Sequence, residues 1–164
     1  MTITKRFILI FGILTTCISC DQTTKSVAQS LLSTTEAWSF LGGTIRFQLT
    51  HNPGAFLSLG ASLPDIWRQT LFSVAVAGLL LALLGYALFA KSASAFVVLA
   101  FALLVAGGLG NTIDRLIYDG YVIDFINIGI GSLRTGIFNV ADIAVTTGML
   151  MLIVNELHQK HKSV

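Results

Sequence analysis

Residues 74–90 read VAVAGLLLALLGYALFA, an apolar run with no charged residue and no proline. They belong to a longer segment from about Ile66 to Ala90, and a bilayer core takes roughly 20 helical residues. Three further apolar segments run from about Phe7 to Cys20 and on toward Leu32, from about Ala95 to Ile113, and from about Ile137 to Val154. The whole chain of 164 residues is 54% hydrophobic and 11% charged, with a mean hydropathy of +0.82. A soluble domain carries roughly 25% charged residues. So little charge cannot cover a water-facing surface, so lipid is the expected solvent for much of the chain. A net charge of +2 without a basic stripe gives no support to nucleic-acid binding.

The expectation is one domain over residues 1–164, with spans at about 7–32, 66–90, 95–113 and 137–156. The first span reads as short, needing tilt or a polar end tucked into the bundle. Lys91 to Ser94 forms a short hairpin turn between the second and third spans. Two connections are long. Residues 38–50, WSFLGGTIRFQLT, alternate and carry aromatics like a β-hairpin, and residues 121–128, YVIDFINI, read as a strand. Strands cannot stand open in lipid. The expected fold is therefore an all-α membrane protein with four transmembrane helices and a small extracytoplasmic β-sheet built from the two long loops. Basic residues at the termini and in the short turn (Lys5, Arg6, Lys91, Lys160, Lys162) are denser than those in the long loops. The positive-inside rule then places both termini in the cytoplasm. Trp38 and Trp67 suit interfacial anchors.

Lys5 and Arg6 ahead of an apolar run and a cysteine imitate a lipoprotein export signal, which would make Cys17 or Cys20 a mature N-terminus. The residues flanking both candidate cleavage points fit poorly, and further spans follow. The two cysteines read as small apolar fillers.

Seven acids fall on the outer side or at span ends, and four of them sit where ionised groups are costly: Asp21, Asp114, Asp124 and Asp142. Alone, Asp142 reads as a helix-capping acid three residues after Asn139, and Asp124 as an outward-facing strand residue. Together they lie at one membrane face, on a loop that folds back. Two carboxylates around one water are the equipment of an aspartic hydrolase, and like charges at close range share a proton. Asp142, in the first turn of a helix, is favoured as the anion. Asp124, among Val122, Ile123, Phe125 and Ile126, leans neutral. Asp21 and Lys25 share a helix face and can pair near the interface. Asn111, Asp114 and Arg115 share another, either bracing a site or clamping helices together. Gly107, Gly108 and Gly110 permit close helix approach, whereas Gly54 and Gly120 suit turns. Phe125 and Phe138 read as packing residues.

Residues 107–115, GGLGNTIDR, then 120–125, GYVIDF, then 138–142, FNVAD, together resemble the lipoprotein signal peptidase (signal peptidase II) family. Residues 21–25, DQTTK, look like that family's D-x-x-x-K, and residues 52–56, NPGAF, are similar to N-x-G-A-A-F but one residue shorter. That departure bears on how this loop fits over substrate. The resemblance covers nearly the whole chain. It implies a bacterial plasma-membrane aspartic endopeptidase that cuts prolipoproteins before a diacylglyceryl-modified cysteine, near the extracytoplasmic face. It implies Asp124 and Asp142 as the catalytic pair, with no metal or organic cofactor. It implies supporting roles for Asp21, Lys25, Asn52, Gly54, Gly108, Asn111, Asp114, Arg115, Asn139 and Ala141. The expected partners are modified prolipoproteins and membrane lipid, and nothing demands more than a monomer.

Other designs lack their parts. No H-E-x-x-H zinc motif exists around His51, His158 or His161, no G-x-S-x-G elbow occurs, and Lys25 and Ser26 point different ways on a helix. A proton relay would string acids across the bilayer depth, and a non-catalytic scaffold would tolerate loss of Asp124 and Asp142.

Overall fold

A computed structural model describes residues 1–53 and 65–162, with side chains for all of these except 65–73 and 162. Helix α1 spans Ile3–Leu31, followed by strands β1 (Trp38–Phe40) and β2 (Ile45–Asn52). Helices α2 (Asp65–Phe89) and α3 (Ala95–Ile117) form a tight hairpin. Strands β3 (Val122–Ile130) and β4 (Leu133–Arg134) precede helix α4 (Val140–Lys162). Helices α1, α3 and α4 are long and apolar enough to cross a membrane, and the described apolar run of α2, Val74–Phe89, is shorter.

In helix α1 the polar residues after Cys20 stay helical and turn inward, the polar end tucked into the bundle that the first span called for. Helix α4 starts at Val140 and continues past the apolar span to Lys162, with His158 and His161 exposed on it. Cys17 and Cys20 are free thiols.

Helix α3 is the central element and packs against the other three. It earns that place by small residues: Ala100, Ala102, Ala106, Gly107 and Gly110 are all buried. A Cβ on Gly107 would collide with the Ala141 carbonyl, and one on Gly148 would lie 2.6 Å from the Ala100 carbonyl, so glycines set the α3–α4 approach. The outer surfaces stay apolar. Phe7, Phe11, Leu81 and Phe89 are each more than 60% exposed, which suits lipid contact and not water.

At the hairpin end, Arg6 of α1 is 3% exposed. Its guanidinium donates to the carbonyls of Ala87 (3.3 Å), Ala90 (2.7 Å), Lys91 (3.4 Å) and Ala93 (3.0 Å). Helix α2 ends there, and its last carbonyls need donors. Ser94 then caps α3, its hydroxyl accepting from the Val97 N–H at 3.3 Å.

The sheet forms at the other end. Its order is β1-β2-β3-β4, all antiparallel, so both long loops contribute as expected. Asp119 (φ 50°) and Gly120 (φ 92°) turn the chain from α3 into β3. The segment before α4 then runs beside β3: the Phe125 and Ile126 amides donate to the Phe138 carbonyl, and the Phe138 amide donates to the Ile126 carbonyl. This strap carries Asn139 and the first turn of α4 to the flank of Asp124.

Candidate active site

The site is built where α1, α3, the start of α4 and β3 converge. Asp124 is 2% exposed, so the outward-facing strand reading is wrong. Residues 122–125 of β3 are all buried, where α3 and α1 pack against the strand and β2 pairs along its edge. Asn52, the last residue of β2, donates to Asp124 Oδ2 at 2.8 Å. Asn139 donates from Nδ2 to Asp124 Oδ1 at 2.7 Å.

Asn139 also caps α4. Its backbone N–H donates to Asp142 Oδ2 at 3.1 Å, and its Oδ1 accepts from the Asp142 N–H at 3.0 Å. This is a reciprocal capping box with an aspartate in place of the usual glutamate. One fully buried residue therefore holds both carboxyl groups, and the capping and catalytic readings of Asp142 describe the same geometry. Asp142 is only partly buried, which leaves it one open side.

Asn111 supplies the other donor to Asp142, Nδ2 to Oδ1 at 2.9 Å. Its amide is oriented by two donors on the far side: Lys25 Nζ and Asn139 Nδ2, both 3.0 Å from Asn111 Oδ1. The Lys25 charge thus acts on Asp142 through an amide dipole, without direct contact.

Lys25 is paired elsewhere. Its ammonium lies 2.7 Å from Asp21 Oδ2 and 2.9 Å from Asp114 Oδ2, with all three side chains nearly inaccessible. The expectation of a simple Asp21–Lys25 pair near the interface is corrected here: the pair is a buried triad that includes α3. Asp21 Oδ1 accepts from the Ala141 N–H at 2.8 Å, satisfying a first-turn amide of α4. Asp114 Oδ2 accepts from the Ile123 N–H at 3.0 Å, directly before Asp124. Gly110 is required for this, since a Cβ there would lie 2.7 Å from Asp21 Oδ2. Ala141 is 2% exposed and packs beside it.

Two predicted residues stand slightly apart. Arg115 donates to the Asn111 carbonyl at 3.2 Å, and its charge interacts with Asp114, Asp142 and Asp124. Gly108 faces Leu80 of α2, so it serves helix packing and not the polar network. Gly54 and the rest of the shortened 52–56 motif beyond Pro53 lie outside the described residues, as does the Trp67 side chain.

Gln22 is the residue that sequence reading missed. Its Nε2 donates to Asp114 Oδ1 at 2.8 Å, with Asp21 Oδ2 at 3.2 Å and the Gly110 carbonyl at 3.3 Å. The signal was present: Asp21, Gln22, Lys25 and Gln29 form a polar stripe at helical spacing within an apolar span. Gln29 accepts from the Tyr118 hydroxyl at 3.0 Å and extends the same α1–α3 seam. Among the described residues every buried side-chain nitrogen and oxygen has a partner, and no group of three His, Cys, Asp or Glu could hold a metal ion.

Burial pushes the Asp124 carboxyl up from 3.8 to about 6. The Asn52 hydrogen bond pulls it back, the Asp142 charge raises it, and the Asn139 bond and the Lys25 charge lower it.

The family model described as "Signal peptidase (SPase) II" matches residues 13–158, which include Asp21 through Asp142. The chain belongs to the signal peptidase II family. A lipoprotein signal peptidase of Sphingopyxis alaskensis is 39% identical over 155 residues, covering 93% of this chain and 86% of that protein. One from Syntrophus aciditrophicus is 33% identical over 147 residues, covering 87% and 89%. The fold is similar to that of a bacterial membrane enzyme solved by the in meso method, with TM-score 0.79 and 28% identity over 94% of this chain and 91% of that one. A signal peptidase II with these apolar helices is a bacterial membrane protease.

Proposed function

We propose that this signal peptidase II is an aspartic endopeptidase that releases signal peptides from prolipoproteins, cutting on the N-terminal side of a diacylglyceryl-modified cysteine. The observation that carries the reading is the bridge made by Asn139, which hydrogen-bonds Asp124 with its side chain and Asp142 with its main chain. Two carboxyls held by amides, with no cation directly on either among the described residues, remain free to exchange protons with a water between them.

The roles follow from the surroundings. Asp142, in the first helical turn and accepting two N–H bonds, is the base. Asp124, with its raised pKa, is the acid. Water attacks the scissile carbonyl carbon as Asp142 takes its proton, and Asp124 gives its proton to the carbonyl oxygen. The tetrahedral diol collapses when Asp142 passes its proton to the leaving amine nitrogen and Asp124 recovers the one it gave. The apparent pKa values belong to the pair.

Four spans, counting α2, leave both termini on one side, and the denser basic residues there favour the cytoplasm for them and the extracytoplasmic headgroups for the sheet. Half-exposed Trp38 and Phe40 on β1 suit that depth. A lipid-anchored substrate keeps its cleavage point there, which explains why the carboxyls cluster at one membrane face instead of crossing it.

Purified protein should be incubated with a diacylglyceryl-cysteine prolipoprotein and with the same protein unlipidated. Cleavage of the first alone, lost in Asp124→Asn and in Asp142→Asn, is the expected outcome. Equal cleavage of both substrates would remove the lipid requirement from the proposal.

A further inference from the structure

Strand β3 joins Asp124 to an open apolar surface. Side chains alternate along a strand, so Ile126, Ile128 and Ile130 share the face of Asp124. Their register partners extend that face: Phe47 beside Ile126, Ile45 beside Ile128 and Leu133 beside Ile130. Asn52, in register with Val122, reaches Asp124 from the same face. Exposure grows with distance from the site, from 2% at Asp124 to 79% at Ile130 and 83% at Leu133. The backbone beneath sets the shape of such a surface, and here it is thinly paired. The β2–β3 register breaks between Phe47 and Thr50, and β4 is two residues long.

The opposite face supplies a fastening. Arg134 of β4 is in register with Gly129, and its guanidinium reaches across β3. Nε donates to Asn127 Oδ1, and Nη1 donates to the Gly43 carbonyl at 2.8 Å. Nη2 donates to the carbonyls of Asn127 at 3.4 Å and Thr44 at 3.5 Å. Asn127 Nδ2 in turn donates to the Thr135 carbonyl at 2.7 Å. One side chain of the second long loop thus ties β4 and β3 to the turn that leads into β2, in the first long loop. Gly129 makes the crossing possible, since a Cβ there would lie 2.6 Å from both Cα and Cγ of Arg134. A planar fork of five donors can meet these acceptors together, and a lysine ammonium cannot. The clasp is separate from the chemistry. Gly129 lies about 17 Å along the strand from Asp124, and among the described residues no hydrogen bond joins Arg134 to either carboxyl.

We propose that Arg134 is a positioning residue for substrate capture. It clasps the outer sheet, so that the apolar face running out from Asp124 keeps the shape that receives the peptide. The capture role rests on the endopeptidase reading, whereas the clasp rests on the sheet geometry alone. Without the clasp the lipidated substrate binds more weakly, and the proton transfers at Asp124 and Asp142 keep their rate.

The test compares the full chain in mild detergent with Arg134→Ala and Arg134→Lys. Hydrogen exchange is read first by mass spectrometry, without substrate. The amides of Ile128, Gly129 and Thr135 are hydrogen-bonded inside the clasped region. In Arg134→Ala, residues 126–135 should exchange about tenfold faster, with α4 unchanged. Cleavage of a diacylglyceryl-cysteine prolipoprotein should then show KM raised about tenfold and kcat within about twofold, the pattern of lost binding without lost chemistry. Arg134→Lys keeps the charge but not the fork and should behave as Arg134→Ala. Unchanged exchange in Arg134→Ala overturns the proposal, because the guanidinium then fastens nothing. A fall in kcat at unchanged KM overturns it, as does an Arg134→Lys variant with the KM of the unaltered protein. Failure of the peptidase reading is seen separately, as an unaltered protein that cleaves no prolipoprotein. That result would remove the capture role and leave the clasp to the exchange measurement.

Discussion

Two pairs of acids sit within one turn of each other at the same end of this bundle, and they are treated oppositely. Asp21 and Asp114 share the ammonium of Lys25, are about 1% exposed at their side chains, and also accept from backbone amides of α4 and β3, with Gln22 on the second oxygen of Asp114. Among the described residues, Asp124 and Asp142 receive neutral donors, from Asn52, Asn111 and Asn139, and Asp142 keeps an open side. The first pair shares a cation and is closed, so it ties helices together. The second is held in place by amides, which suits the proton exchange proposed for it. Carboxylate chemistry at a membrane face is set by which donor is a cation and which is an amide, more than by depth.

The comparison breaks most visibly at Lys25. Lys25→Met leaves two buried carboxylates without their cation, a loss of about 3–5 kcal/mol for a disrupted buried pair. Thermal denaturation in detergent should show a large drop in midpoint, whereas Asp142→Asn should leave the midpoint nearly unchanged. A mild Lys25→Met variant would mean the triad is not what holds α1 to α3.

Asn139→Ala is next in size. It removes a hydrogen bond to a charged or titrating carboxyl, worth about 1.5–3 kcal/mol each, and frees Asp124 from Asp142. Turnover of lipidated substrate should fall by about 10- to 100-fold on that basis, with the midpoint falling less than for Lys25→Met. Gln22→Met offers the control on the closed pair: it should cost stability and leave the pH profile of cleavage in place.

The smallest expected effect is a pH dependence. Asp124 has a folded pKa raised from 3.8 to about 6. The protonated form is therefore the one the fold favours. Its contribution to stability is fully present below 3.8 and is lost as the pH rises through about 6. Asp124→Asn should flatten the stability profile across that window and make the variant the more stable protein at neutral pH. A slope that survives the substitution would assign it to another group.

Much of this was legible in local pattern. The alternation in residues 38–50 and 121–128 gave the sheet, because strand periodicity is a property of neighbours. The Asn139–Asp142 cap was legible for the same reason. What pattern could not show was that the Asn139 side chain also reaches Asp124, because that depends on residues 136–139 lying beside β3. The Asp21–Lys25 spacing announced a pair, but Asp114 joins it from a helix more than eighty residues away. Arg6 read as a terminal orienting charge, and its four carbonyl partners belong to a hairpin end that only the packed bundle brings near. Apolar pattern gave a span at about 137–156 but not the end of the helix, since polar residues at the end of α4 leave the lipid while remaining helical to Lys162.

The most direct measurement is single-turnover cleavage of a diacylglyceryl-cysteine prolipoprotein by Asp124→Asn, Asp142→Asn and the double variant, each checked for an intact thermal midpoint. If the two carboxyls work on one water, each single variant loses turnover by about 1,000-fold or more and the double is no slower than either, since groups acting as a unit are not additive. A single variant that keeps turnover within about tenfold of the unaltered protein, or losses that multiply in the double as independent residues would, would contradict the shared-water mechanism.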